Sequence, residues 1–323
     1  MEEQRPELLL PHAPSSIRRE YSRRRGRGCS EISVVQMLVG GPRLDAGATR
    51  YRRQNTALQL GSSYGSIRKC RRAFWRPGAC CDVADNPFED PKVAELYDAL
   101  DSDRSDLVAY QAMASEFGAG SVLDLGCGTG VLACLLVDAG FDVIAADPAE
   151  AMLAVARAKP GAARVRWLHG VAADLPPVQV DVVTMTGNVA QVFLDDHEWA
   201  ETLTAASAAL RRGGVLAFET RRPERRAWEG WNRDTSYEQI DVRGIGMIET
   251  WEDLIDVSLP LVTFRSTIVF HADGSVVTAT STLRFRTLEE VCRSINAAGL
   301  TLLDVRDAPD RPGNEHVFLA RRP

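Results

Sequence analysis

From residue 93 onward the apolar positions fall into two alternating rhythms. Val93, Leu96, Tyr97 and Leu100, then Leu107, Tyr110, Met113 and Phe117, recur at helical spacing and end at Gly118 and Gly120. These residues predict one or two amphipathic helices. Short apolar runs suited to buried strands then alternate with helical stretches. Strands are expected at 121–125, 141–146, 165–169, 180–184 and 215–219. Helices are expected at 131–139, 149–158 and 197–210, closed by Gly140, by Pro160-Gly161 and by Gly213-Gly214. Continuous apolar strands separated by helices imply a parallel sheet covered on both faces, wound in both directions by right-handed crossovers.

The rhythm changes after Pro223. Val262, Phe264, Ser266, Ile268 and Phe270 point one way, and Thr263, Arg265, Thr267 and Val269 the other. Asp273-Gly274 is a hairpin signal, and a second alternating run covers 277–285. The segment 247–257 is a candidate third strand. Residues 225–286 are therefore expected to form an antiparallel insertion. A helix at 288–298 and strands at 300–305 and 316–320 complete the chain. The expected organisation is an extension at 1–85, a core at 86–224 with a helical cover, the insertion, and the rest of the core at 287–323.

Charge separates the extension from the body. Residues 1–85 hold 16 Lys/Arg and 8 Asp/Glu, the remainder 22 and 36. Arginines cluster at Arg18, Arg19, Arg23, Arg24, Arg25 and Arg27, with little apolar periodicity, so disorder is the expectation there. A nucleic-acid arm, an export signal at Arg23-Arg24 and a misplaced start are the competing readings. The acidic body is a poor partner for a polyanion. None of the seven cysteines forms a CxxC pair, so no metal site or disulfide framework is expected, and reduced thiols suit a cytoplasmic protein. No apolar run approaches the roughly 20 residues of a membrane span.

The candidate chemistry sits at Asp124-Leu-Gly126-Cys127-Gly128-Thr-Gly130, between a strand and a helix. Glycines allow a tight turn and close approach of backbone to a ligand. Asp147 ends the next strand, where an acid can accept both hydroxyls of a ribose. Loop and acid together point to a bound nucleoside; the plain alternative is a glycine turn beside an Asp helix cap. A nicotinamide site would carry G-x-G-x-x-G, but Val131 stands in the place of its third glycine. Asp124 suits a cationic amine better than a pyrophosphate.

These motifs resemble the class I S-adenosylmethionine-dependent methyltransferases over residues 86–323. VLDLGCGTG (Val122 to Gly130) is similar to the family's first motif, Asp147-Pro148-Ala-Glu-Ala-Met152 to its acidic second motif, and Leu210-Arg-Arg-Gly213-Gly214 to the turn before its fifth strand. The resemblance implies a Rossmann-like three-layer α/β sandwich and S-adenosyl-L-methionine as donor. It places Gly126 and Gly128 along the methionine end, with Cys127 and Gly130 as further cofactor-binding residues of the loop, Asp124 on the ammonium, Asp147 on the ribose, and Pro148 and Met152 on the adenine. Thr186 to Asn188 would face the methyl group. Many relatives read G-D-A-x-x-L-P after the third strand, with the Asp on the adenine amine. Here Val171 stands in that place and cannot accept that bond, leaving a shifted Asp174, backbone or water for the amine, with the backbone N–H of Ala172 still available to the adenine. The sequence Thr186-Gly187-Asn188-Val189 lacks the N/D-P-P-Y type motif of methyltransferases acting on DNA bases or glutamine.

No catalytic residue is named by the sequence. His169, His197, His271 and His316 are the candidate bases within the ordered part, each as easily structural. The insertion leaves the fifth strand at its ligand-binding end and concentrates Trp228, Trp231, Tyr237 and Trp251. It is expected to frame an acceptor or to form an interface, the tryptophans either walling a pocket or filling the space beneath a small sheet. The expected activity is methyl transfer to O or N of a small molecule. A tRNA or protein methyltransferase docked by the Arg-rich arm, or a cofactor-binding protein without turnover, are the alternatives.

Overall fold

The computed structural model describes residues 87–323, so the expectations for 1–85 lie outside the described residues. Two helices come first, α1 (Pro91–Leu100) and α2 (Ser105–Glu116). Asp90 caps α1 by accepting from the Lys92 N–H at 2.8 Å, and Pro91 opens it with φ already set for a helix. The alternating part follows as β1 (Ser121–Leu125), α3 (Val131–Asp138), β2 (Asp142–Asp147), α4 (Glu150–Arg157), β3 (Arg166–His169), β4 (Val180–Met185), α5 (Asp196–Ala209) and β5 (Leu210–Arg221).

Four more strands then depart from the core: β6 (Glu238–Val242), β7 (Gly246–Ser258), β8 (Leu261–Phe270) and β9 (Val276–Arg284). The chain returns as α6 (Leu288–Ala297), β10 (Thr301–Asp307) and β11 (Glu315–Arg321). A capping box between Thr287 and Glu290 starts α6.

The large sheet runs in the order β10-β11-β5-β4-β1-β2-β3. Strands β1 to β5 are parallel, and β11 pairs antiparallel with both β5 and β10. From β1 the chain winds outward to β3 on one side and, by way of β4, to β5 on the other. Ligands of open parallel sheets bind at such a reversal, outside the carboxyl ends of the strands.

One face of the sheet packs on α2 and α3 through Leu107, Tyr110, Leu132, Leu136, Val122 and Val182. The other packs on α5 and α6 through Trp199, Leu203, Val291, Ile295, Leu123 and Val183. Phe218 of β5 and Phe318 of β11 stack across the second face at 5.1 Å, with Trp199 edge-on to Phe218 at 5.6 Å.

The smaller sheet has the order β6-β7-β8-β9, antiparallel throughout. Strands β7, β8 and β9 lie where the alternating pattern predicts them. The sequence pattern did not show β6, which has only Ile240 and Val242 as alternating apolar positions on a five-residue edge strand. Trp228 and Trp231 are buried against Phe264, Leu283 and Phe285. Ring centroids lie 4.6 Å apart for Trp228–Phe285 and 4.7 Å for Trp231–Phe264. These two side chains fill the space beneath the small sheet, and the pocket-wall alternative is set aside.

Helix α1 joins the two sheets. Its Val93, Leu96 and Leu100, spaced i, i+3, i+7, pack on Val242, Ile248, Ile268 and Phe270 of the small sheet. Its Ala94 and Tyr97 face Ala149 and Met152 at the head of α4. The helix is therefore apolar on two faces and holds the small sheet over the carboxyl end of the large one. Among the described residues no helix is long and apolar enough to cross a membrane. Leu96 is fully buried in the α1 seam. Leu96→Ala is expected to destabilise the fold by about 2–5 kcal/mol, read as a lower urea midpoint with unchanged slope. A midpoint at the wild-type value would show that α1 does not carry the join.

Candidate active site

The glycine loop is shaped by two constraints. Its ends are held by backbone bonds, since the N–H groups of Gly126 and Cys127 donate to the Ala146 carbonyl at 2.8 and 3.1 Å. Its path needs left-handed backbone at Gly126, Gly128 and Gly130, with φ of 72°, 53° and 73°. Space is also short: a Cβ on Gly126 would lie 2.6 Å from Val189 Cγ2, and one on Gly130 2.4 Å from Trp167. Val189 and Trp167 are partners that the motif alone did not reveal. The Cys127 thiol is half-buried, and burial pushes its pKa well up, which favours the neutral thiol.

Asp147, at the end of β2, is buried. Its Oδ2 accepts from the Gly128 N–H and its Oδ1 from the Ala149 N–H, both at 2.8 Å. The acid thus fixes the loop and the head of α4 together. Burial raises its pKa, and those two backbone bonds oppose the rise. Each oxygen keeps a further lone pair for a diol. Pro148 is half-buried, and its carbonyl lies 2.9 Å from His169 Nε2. His169 is exposed and braces this loop. Met152 is buried next to Gly128, under Phe88 and Tyr97.

Asp124 has the most unusual surroundings. It is buried in β1, and its Oδ1 accepts from Thr184 Oγ1 at 2.9 Å. Its Oδ2 is buried with no hydrogen-bond donor. Burial pushes its pKa up to about 7; the Thr184 hydrogen bond opposes this, as does the Arg104 guanidinium acting through space. Arg104, at the turn between α1 and α2, is paired with Asp101 at 3.5 Å and Asp106 at 3.3 Å. Nothing in its spacing singled it out in the sequence.

The loop after β3 starts a single 3-10 turn (Ala172–Asp174) at Ala172, whose N–H has no acceptor within that turn. Asp174 is exposed, with its side chain near Gly170. After β4, Thr186 and Gly187 are half-buried, and Asn188 is buried in left-handed backbone with φ 59°. The Asn188 side chain does not turn toward the glycine loop. Its Nδ2 donates to Glu315 Oε1 at 3.0 Å, and its backbone N–H donates to Glu219 Oε1 at 2.6 Å. Val189 fills the place beside Gly126 instead.

These residues fit S-adenosylmethionine. Asp124 offers a buried carboxylate oxygen with no donor, which an α-ammonium group would satisfy. Asp147 offers a carboxylate for the ribose hydroxyls, and the two loop glycines leave room for the methionine chain between them. Among the described residues no group of three or more His, Cys, Asp or Glu side chains could hold a metal ion.

Residues 122–214 match the family model described as a methyltransferase domain. The chain is 34% identical over 172 residues to a probable S-adenosylmethionine-dependent methyltransferase of Mycolicibacterium smegmatis, covering 52% of this chain and 62% of that protein. It spans 42% to 62% of the length of the curated relatives it matches. Its fold is shared with the CcbJ methyltransferase of Streptomyces caelestis, at TM-score 0.60 and 23% identity over 73% of this chain and 98% of the other. It is also shared with S-adenosylmethionine-bound CalS10, an amino pentose methyltransferase from Micromonospora echinaspora, at TM-score 0.55 and 23% identity over 69% and 93%.

The raised Asp124 pKa sets a pH dependence. In the folded chain its carboxyl keeps a proton from about pH 4 to about pH 7 that the unfolded chain has released, so this group makes stability fall as pH rises through that window. Ligand binding has the opposite sign, because only the ionised form attracts an ammonium. S-adenosylhomocysteine affinity is expected to rise between about pH 6 and pH 7.5, while the ligand amine stays largely charged. Asp124→Asn should weaken binding and flatten that slope in calorimetry. A wild-type affinity independent of pH over this range would contradict the assignment.

Proposed function

We propose that this chain, which carries a class I S-adenosylmethionine-dependent methyltransferase domain, moves a methyl group to a nitrogen or oxygen of a small molecule. The observation that carries the reading is the pair of buried carboxylates, Asp124 and Asp147, at the carboxyl ends of neighbouring strands on either side of the glycine loop. One suits the ammonium and the other the ribose of a single extended ligand. S-adenosylmethionine, when bound, supplies a methyl carbon already activated by its sulfonium.

The protein's part is then placement and exclusion of water. Asp124 and Asp147 hold the ammonium and the ribose of the donor, Gly126 and Gly128 keep the loop clear, and Ala172 offers its N–H to a ring nitrogen of the adenine, while Val171 supplies no acceptor for the adenine amine. Pro148 and Met152 flank the adenine side. Thr186 and Gly187 form the rim on the acceptor side. Helix α1 and the small sheet close the space above, the apolar seam at Leu96 holding them there. CalS10 is described as an amino pentose methyltransferase, and that likeness favours a small acceptor over a macromolecule. The acidic body points the same way.

Calorimetry with S-adenosylhomocysteine tests the donor. Asp147→Ala is expected to lose two charge-assisted hydrogen bonds, weakening binding on the order of 100-fold. A folded Asp147→Ala variant with wild-type affinity would remove the ribose assignment. Tight binding of NADH by the wild-type chain would overturn the donor itself.

A further inference from the structure

Asp124, Thr184 and Glu219 lie on the same face of the large sheet, on the successive neighbours β1, β4 and β5, near their carboxyl ends. Two strand spacings separate β1 from β5, roughly 10 Å. Asp124 has its role at the donor end of this row. Glu219, at the far end, holds the Asn188 N–H but has no role at the donor. It is 5% exposed, yet it lines a pocket with Asp106, Tyr110, Gly187, Asp310 and Arg311. Gly187, in the loop after β4 whose Val189 lies against Gly126, is part of the pocket lining.

The groups around Glu219 hold it in place. Its Oε2 accepts from the Tyr110 hydroxyl of α2, and its Oε1 accepts from the Asn188 N–H at 2.6 Å. Glu315 of β11 lies beyond, bound to Arg311 at 2.8 Å and near Arg221 at 3.9 Å. Asn188 donates to Glu315, while its own Oδ1 is buried without a donor. Four carboxylates, Asp106, Glu219, Asp310 and Glu315, thus line a pocket whose lining guanidinium, among the described residues, is Arg311, with Arg104 paired to Asp106. Arg311 is engaged by Glu315 and Asp310. An acidic pocket suits a cation that brings hydrogen-bond donors, and the donorless Asn188 Oδ1 lies buried on the amide that binds Glu315.

We propose that Glu219 binds the ammonium form of an amine acceptor and takes its proton before methyl transfer. This rests on the proposed methyltransferase activity. The proton passes from the acceptor nitrogen to Glu219, freeing the nitrogen lone pair. That pair forms the new N–C bond as the sulfonium S–C bond breaks, the electrons of the broken bond staying on sulfur. The product is a methylated ammonium and a neutral thioether. Burial and the Glu315 charge push the Glu219 pKa up to about 7, with the Tyr110 and Asn188 hydrogen bonds and Arg311 opposing; that is a suitable range for a base near neutral pH. Burial alone would raise Glu315, but Arg311 and Arg221 outweigh it and keep it ionised.

The test uses the full chain loaded with S-adenosylhomocysteine, titrated with two matched pairs, glucosamine against glucose and cyclohexylamine against cyclohexanol. Wild type is expected to bind at least one amine more tightly than its alcohol, on the order of 10- to 100-fold. Glu219→Gln should erase that preference and leave S-adenosylhomocysteine affinity unchanged. With labelled donor, it should slow methylation of the bound amine on the order of 100-fold or more. Tyr110→Phe supplies a second variant should Glu219→Gln fail to fold. It removes a bond that lowers the Glu219 pKa, so the acidic limb of the rate profile should move to higher pH. No amine preference in the loaded wild type, or a preference surviving in Glu219→Gln, overturns the proposal. So does an acidic limb unmoved in Tyr110→Phe. Failure of wild type to bind S-adenosylhomocysteine would instead remove the methyltransferase reading beneath it.

Discussion

Burying a carboxylate without a full set of partners costs free energy that a fold tolerates only for a purpose. Asp124 is such a carboxylate: one oxygen is held by Thr184 and the other is buried with no donor. Its position at the carboxyl end of β1, the strand at which the winding reverses, makes this the point around which the other parts are arranged. The glycine loop that follows can turn away from it only with left-handed backbone. Asp147 on the next strand pins that loop through the Gly128 N–H. Val189, from the loop after β4, occupies the space that a side chain on Gly126 would need.

The second organising feature is helix α1. A helix with one apolar face would cover the core and stop there. This one has two, and the second carries the small sheet. The covering of the site and the position of the small sheet are therefore one packing problem. The buried tryptophans belong to the small sheet's own core, so its contribution to the site comes through where it sits and not through an aromatic wall. Strand β9 leads into Arg286, whose guanidinium donates to the carbonyls of Ala190 at 3.1 Å and Phe193 at 2.8 Å. The small sheet is thus tied to the loop after β4 as well as to α1.

Much of this was legible in the sequence because it is local. The loop, Asp124 and Asp147 lie within one strand–helix–strand unit, and the alternation of strand and helix sets the parallel sheet by general rules. The antiparallel strands β7 to β9 announce themselves by their alternation and by Asp273-Gly274. What was not legible is what the fold assembles from distant parts. Tyr110 and Glu219 meet across 109 positions and Asn188 and Glu315 across 127. No spacing rule links them, and each taken alone is an ordinary polar residue in or beside an apolar element. Asn188 shows the same limit from the other side. The resemblance implies that it faces the methyl group, but its side chain is held by Glu315, which lies on a strand that reaches β5 only at the end of the chain. Arg104 and the pairing of α1 with two surfaces were hidden for the same reason.

The most direct measurement is a crystal structure of the chain with S-adenosylhomocysteine. The account predicts the ligand's ammonium nitrogen about 3 Å from Asp124 Oδ2 and both ribose hydroxyls on Asp147. An ammonium placed away from Asp124, with that oxygen still lacking a donor, would contradict it.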